Sequence, residues 1–242
     1  MSMNIPVGWE LPEELSRRVG AKLGRQRALI ANGQILLVLH KVPTSKSSER
    51  EGAAFWRDGE GNWRSTNGRE GIGALTSHVG AYLEAVSQLE VDYDKAQNSH
   101  DYFRILEQVV PIHRAANNQL AAIQTARVDF EEARELISIR DMAAEADRIA
   151  EILQIDAKNA LDYQIAKQNE EQARLANEVA TSTNRLNFIA AMFLPLTAIS
   201  SVFGMTIRSG LEGSSPLLFW LIFITGTLMG LFLGIMVSRR SK

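Results

Sequence analysis

Three hydrophobic patterns succeed one another along the chain. Near the N-terminus the apolar residues come in short blocks: Ala28-Leu29-Ile30 and Ile35 to Leu39 flank Asn32-Gly33. Asn-Gly accepts the positive φ angles of a two-residue turn, so Gln26 to His40 predicts a β-hairpin. A second hairpin is predicted from Ala53–Arg57 and Trp63–Ser65 around Asp58-Gly59-Glu60-Gly61-Asn62, with the polar Pro43–Gly52 stretch as a loop. Together these give a small antiparallel sheet of about four strands, which must lean on helices to bury its faces. Residues 1–23 read as a polar lead-in, because Pro6 and Pro12 oppose a long helix there.

From about Gly71 the spacing changes to three and four. Ile72, Leu75, Val79, Tyr82, Leu83, Val86, Leu89 and Tyr93 predict an amphipathic helix to about Gln97. Asn98-Ser99 interrupts it, with Ser99 or Asp101 as cap of the next helix. That helix is expected from about Asp101 to Ile139, carrying Phe103, Leu106, Val110, Leu120, Ile123, Phe130 and Ile137 and kinked at Pro111. Between Met142 and Arg185 there is neither Pro nor Gly. One helix is therefore expected to continue to about Phe203, roughly 90 Å at ~1.5 Å per residue. Leu161, Ile165, Gln168, Gln172, Leu175 and Val179 form a heptad-like stripe on it. Ala166, Ala173, Ala176, Ala180 and Thr183 form a neighbouring row of small residues. Such a row permits close helix approach, or simply reflects alanine's helix propensity.

The third pattern is the strongest. Leu186–Phe203 is 18 residues without a charge, and Pro216–Val237 is 22 more. Both match a hydrocarbon core of roughly 30 Å, and a helical hairpin through a membrane satisfies its own backbone there. The loop between them holds one Arg and one Glu, whereas Arg239, Arg240 and Lys242 follow the second run directly. Cations favour the cytoplasmic side, so both termini are expected inside. The organisation read is a cytoplasmic α+β domain over 1–140 (hairpins about 25–66, helices about 71–139) and a stalk helix over 141–185. Transmembrane helices follow over 186–203 and 216–237, joined by a periplasmic loop over 204–215, with a basic tail over 238–242.

The balance of 26 Lys and Arg against 28 Asp and Glu gives a net charge of −2, which suggests neither nucleic acid nor an anionic surface as partner. With no cysteine, disulfides and thiolate metal sites are excluded. Met1–Leu15 lacks the basic and apolar regions of a signal peptide. His40, His78, His100 and His113 show no paired metal-ligand spacing and read as packing or surface residues. The acidic segments Asp129–Glu135 and Asp141–Asp147 read as solvated helix faces, and Gly59 and Gly61 as turn residues. No nucleophile, base and orienting group stand together, so an enzyme is not expected, nor is a cofactor.

Phe193-Leu194-Pro195-Leu196-Thr197, followed by Phe203-Gly204-Met205-Thr206, resembles the end of the first span in the CorA family of divalent-cation transporters. There the pattern is Phe-x-Pro-Leu-Thr, then an aromatic residue and Gly-Met-Asn. The resemblance covers about a third of the chain and places it among short, divergent members. It implies a homopentamer in the bacterial inner membrane, in which the long stalk helix runs into the first span around an axial pore. The second span forms an outer ring, and a funnel of sheet and helices lies below. By that resemblance Gly204, Met205 and Thr206 form the pore mouth, and Thr183, Leu186, Asn187, Ala190, Leu194, Thr197 and Ser201 line the pore. Leu186 and Leu194 would impede a hydrated ion by dewetting. The hydroxyls of Thr197 and Ser201 would form polar rings, or else bond back to their own helix.

Thr206 departs from the pattern. A carboxamide ring grips the water shell of Mg²⁺, which dehydrates reluctantly; a shorter Thr hydroxyl leaves a wider ring. Arg208 also offsets Glu212 in the loop. The expectation is a homopentameric channel for divalent cations, Mg²⁺ or Zn²⁺, less selective than a Gly-Met-Asn member. The competing expectation is a membrane scaffold or regulatory protein that keeps the architecture without transport.

Overall fold

The computed structural model describes residues 6, 8–19, 24–44, 51–68, 70–204 and 216–240. Two compact units divide the chain, Met1–Ile165 and Ala166–Lys242. The elements in order are α1 (Glu13–Arg18), β1 (Arg27–Ala31), β2 (Gln34–His40), β3 (Gly52–Arg57), β4 (Trp63–Ser65), α2 (Gly73–Lys95), α3 (Ser99–Asp129), α4 (Leu136–Gly204) and α5 (Pro216–Arg240).

In the first unit the four strands lie in the order β1-β2-β3-β4, each pair antiparallel. Asn32 at φ 51° and Gly33 at φ 70° make the expected tight turn, with Ala31 opposite Gln34. The second turn is tied by Asp58, whose Oδ1 accepts the backbone N–H of Glu60 at 3.0 Å and of Asn62 at 2.8 Å.

β2 is buried along nearly its whole length because both faces are covered. Ile35, Leu37 and Leu39 join Phe55, Leu75, Val79, Ile123 and Leu136 on the helical side. Leu36, Val38 and Trp56 face the opposite way and pack with Leu15, Trp9 and Leu11. The N-terminal segment is therefore a lid on the sheet, not a polar lead-in. Pro12 does oppose a helix before it, but α1 starts immediately after, and Leu15 is fully buried. Trp9 and Trp56 meet with ring centroids 5.6 Å apart.

Two helix boundaries differ from expectation. The cap of α3 is Asn98, whose side-chain oxygen accepts the Asp101 N–H at 3.1 Å, rather than Ser99 or Asp101. Asp101 Oδ2 in turn accepts the Gln97 N–H at 3.2 Å, a reciprocal arrangement. More consequentially, α3 ends at Asp129, ten residues before Ile139, although Pro111 is accommodated within it. Residues 130–135 contain no Gly or Pro, so the break is imposed from outside. Ala133 and Leu136 are fully buried. Phe130 lies under the Arg57 guanidinium at 5.1 Å. Glu135 Oε1 accepts from Arg57 Nε at 3.0 Å and from Trp63 Nε1 at 3.1 Å. Contacts with β3 and β4 outweigh helix propensity at this corner.

Below the sheet, α2, α3 and the first part of α4 share a second core containing Tyr82, Val86, Val109, Ile112, Ala116, Ala146, Ala150, Leu153 and Ala157. Alanines of α4 at three- and four-residue steps give this seam its close approach. The row of small residues farther along α4, Ala166, Ala173, Ala176, Ala180 and Thr183, takes no part in this seam and is exposed in the single chain, as are Leu175 and Val179 of the heptad-like stripe.

Candidate functional site

The second unit contains the C-terminal part of α4 and α5, on which the two long uncharged runs fall. The helices meet through glycine. A Cβ placed on Gly230 would lie 2.7 Å from the Met192 carbonyl oxygen, and one on Gly226 would lie 2.7 Å from Ile199 Cδ1. Neither position has room for a side chain without displacing its neighbour, and at Gly230 that neighbour is backbone. Sequence reasoning did not single out this Gly-x-x-x-Gly pair on α5. The spacing in residues 226–230 was the available signal.

The contact fixes which way α4 faces. Ala191, Met192, Pro195 and Ile199 are half-buried. Thr183, Leu186, Asn187, Ala190, Leu194, Thr197 and Ser201 are all exposed, Leu186 at 65% and Leu194 at 67%. At about 100° per residue the seven fall on the side of the helix away from α5. That side gathers every position expected to line a pore, and Phe188, Ile189 and Phe193 on other sides of α4 are exposed as well. Thr197 Oγ1 donates to the Phe193 carbonyl at 2.7 Å, so its hydroxyl bonds to its own helix. Thr225 and Thr227 do likewise on α5, at 2.7 and 2.8 Å. Gly204 is the last residue of α4. Met205, Thr206, Arg208 and Glu212 lie outside the described residues, and with them most of the expected pore mouth.

On α5, Leu217, Trp220, Leu221, Ile224, Leu228 and Phe232 are more than half exposed. Among the described residues no helix is long and apolar enough to cross a membrane. Side chains at 216, 218, 219, 222, 233, 234 and 236–240 of α5 are outside that set, while the sequence itself runs uncharged from Pro216 to Val237. Also among the described residues, no group of three or more His, Asp or Glu is gathered to hold a metal.

The histidines of the first unit have structural surroundings. His40 Nε2 lies 3.0 Å from the Gly24 carbonyl. His78 packs 5.1 Å from the Phe55 ring, and burial lowers its pKa to about 4. Burial likewise raises Tyr82, whose hydroxyl donates to the His40 carbonyl at 2.9 Å. Partial burial would raise the Glu135 carboxyl, but hydrogen bonds from the backbone, Trp63 and Arg57, with the Arg57 charge, hold it below the usual value.

Residues 69–240 match the family described as CorA-like Mg²⁺ transporter protein. The chain belongs to this family. Its members are transporters, not enzymes. Among solved structures, the full-length CmaX protein is similar to the CorA-like chain with a TM-score of 0.53 at 16% identity, over 97% of this chain and 83% of that one. The ZntB cytoplasmic domain from Vibrio parahaemolyticus gives 0.50 at 12% identity, over 66% of this chain and 80% of that one. The complete CorA magnesium transporter from Methanocaldococcus jannaschii gives 0.46 at 12% identity, over 94% and 86%. At such identities the likeness to the first two is one of fold alone. A comparison with curated proteins gives no match.

Proposed function

We propose that this CorA-like chain forms a homopentameric channel for divalent cations in the bacterial inner membrane, with both termini cytoplasmic and the loop after Gly204 outside. In this reading 186–203 and 216–237 cross the bilayer, 141–185 is the stalk, and Gly204, Met205 and Thr206 form the mouth. The observation that carries it is the placement of Thr183, Leu186, Asn187, Ala190, Leu194, Thr197 and Ser201, all exposed, on the side of α4 away from the glycine contact with α5. Membership of a Mg²⁺ transporter family supports the cargo class. The apolar exterior of α5 suits lipid, which offers no competing hydrogen bonds.

Leu186 and Leu194 then act as apolar constrictions that ions pass only when the pore widens and wets. Transport is passive, down the electrochemical gradient. With Thr206 in place of the family's Asn and Arg208 beside the mouth, discrimination for hydrated Mg²⁺ is weaker. The same two residues favour a second reading, a scaffold or regulatory protein that does not conduct. Flux of Mg²⁺, Zn²⁺, Co²⁺ and Ni²⁺ into liposomes holding the purified protein separates them. Uptake above empty vesicles supports the channel; silence in the wild type and in Thr206→Asn supports the scaffold.

A further inference from the structure

Between Ala166 and Gly204, α4 carries six charged residues, Lys167, Glu170, Glu171, Arg174, Glu178 and Arg185, and all are exposed. Their placement is uneven. Positions seven apart share one side of a helix, with a drift of only ~20° per step. Glu171, Glu178 and Arg185 run by sevens into Met192 and Ile199, which meet the glycines of α5. Lys167 and Arg174 run by sevens to Pro195, and Glu170 to Ala191, both half-buried beside them. Arg174 Nε and Glu178 Oε1 lie 3.9 Å apart on this side. Every charge therefore belongs to the side that α4 turns towards α5.

Stepping back by sevens from the expected pore positions meets no charge at all. Thr197, Ala190 and Thr183 lead to Ala176 and Asn169, and Leu186 leads to Val179 and Gln172. Leu194 and Asn187 lead to Ala180 and Ala173. A packing seam would exclude charge too, but it would be apolar, and Asn169 and Gln172 are polar and exposed. Like charges repeated around one axis repel one another, whereas a carboxamide brings an acceptor oxygen with no net charge.

We propose that Asn169 and Gln172, contributed by every copy of α4, bind a hydrated divalent cation such as Mg²⁺ on the shared axis, on the N-terminal side of the uncharged run. The site rests on the channel reading, whose pore side it extends. The two residues are three apart, about 4.5 Å along the helix at ~1.5 Å per residue, so their rings face one hydrated ion from two levels. The ion keeps its water, because Mg²⁺ dehydrates reluctantly, and the carboxamide oxygens accept hydrogen bonds from that water. The coordination shell is thus filled by water, and no side chain has to replace it. Without charge the hold is weak, and a conducting path needs sites that ions leave as well as enter. The carboxamide that Thr206 withholds from the mouth is supplied here.

The chain has no cysteine, so one introduced thiol reports on one position. Full-length Asn169→Cys, Gln172→Cys, Glu171→Cys and Arg174→Cys proteins are modified in detergent with a methanethiosulfonate, in Mg²⁺ or in Na⁺ at equal ionic strength. Mg²⁺ should slow the reaction several-fold at 169 and 172 and leave 171 and 174 unchanged. No protection at 169 and 172, or equal protection at all four, overturns the site. Flux into liposomes is the second measure. Gln172→Leu should lower Mg²⁺ uptake several-fold, while Gln172→Asn, which keeps the carboxamide, should retain most of it. Uptake by Gln172→Leu equal to that of the wild type overturns the site and leaves the channel standing. A wild type that takes up no Mg²⁺ refutes the channel reading instead, and thiol protection, read without transport, still decides the site.

Discussion

Replacing Glu135 by Ala removes one carboxylate oxygen that holds two donors from the sheet. Arg57 Nε at 3.0 Å and Trp63 Nε1 at 3.1 Å both end on Oε1. Arg57 is 14% exposed and Glu135 32%, so water replaces the lost partner only in part. A buried donor left unmet costs about 1–3 kcal/mol, and breaking a fully buried ion pair costs about 3–5. Scaled for the solvent that reaches Glu135, Glu135→Ala should destabilise the first unit by about 2–3 kcal/mol. Glu135→Gln keeps an oxygen acceptor and gives up only the charge, for about 1 kcal/mol. The assay is urea unfolding of the full-length protein in detergent, read by tryptophan emission, since Trp56 and Trp63 belong to this sheet. The pH dependence has a defined sign. The folded carboxyl lies below its ordinary 4.5, so its contribution is complete above the unfolded pKa and disappears as pH falls through the lower folded value. The gap between wild type and Glu135→Gln should be constant from pH 8 to 6 and close below about pH 4.5. A Glu135→Ala protein within 0.5 kcal/mol of wild type, or a Gln variant as unstable as the Ala variant, would refute the clamp.

Other substitutions probe other parts. Leu15→Ala should cost about 2–4 kcal/mol in the same assay, because α1 seals the outer face of the sheet; a lead-in segment would tolerate it. His78 is neutral down to about pH 4, so its burial favours the folded state above pH 6.5 and that advantage is lost on acidification towards 4, up to about 3 kcal/mol. His78→Phe should flatten the pH 4–6.5 limb of the stability profile. Gly230→Leu must push against the Met192 carbonyl and should lower the thermal aggregation temperature in detergent, whereas Leu231→Ala, on the exposed side, should not. Leu194→Ser should raise cation flux several-fold in liposomes if the apolar ring limits wetting; unchanged flux would place the constriction elsewhere.

The sheet was legible because its signals are local: Asn32-Gly33 dictates a turn whatever surrounds it, and the turn sets Ala31 opposite Gln34 and with it the register of β1 against β2. The long helix was legible for the opposite reason, since nothing between Leu136 and Gly204 except Pro195 interrupts it. What escaped depends on partners far along the chain. The break after Asp129 is held by Arg57 and Trp63, more than seventy residues earlier, and no window around Phe130 contains that information. Leu15 reads as one apolar residue among charges until Leu36 and Val38 are placed opposite it. For the candidate site, three- and four-residue spacing put the seven α4 positions on one face, but only Gly226 and Gly230 decide that this face points away from α5.

A hydroxyl group owns a single hydrogen, and Thr197 has committed it to Phe193. Outward, then, that side chain can only offer electron density. Several copies of α4 set around an axis would present a collar that welcomes a dication's water through its hydrogens and gives chloride or phosphate nothing to hold. The sign of the cargo's charge would be settled there by how a residue bonds to its own backbone, with no carboxylate required.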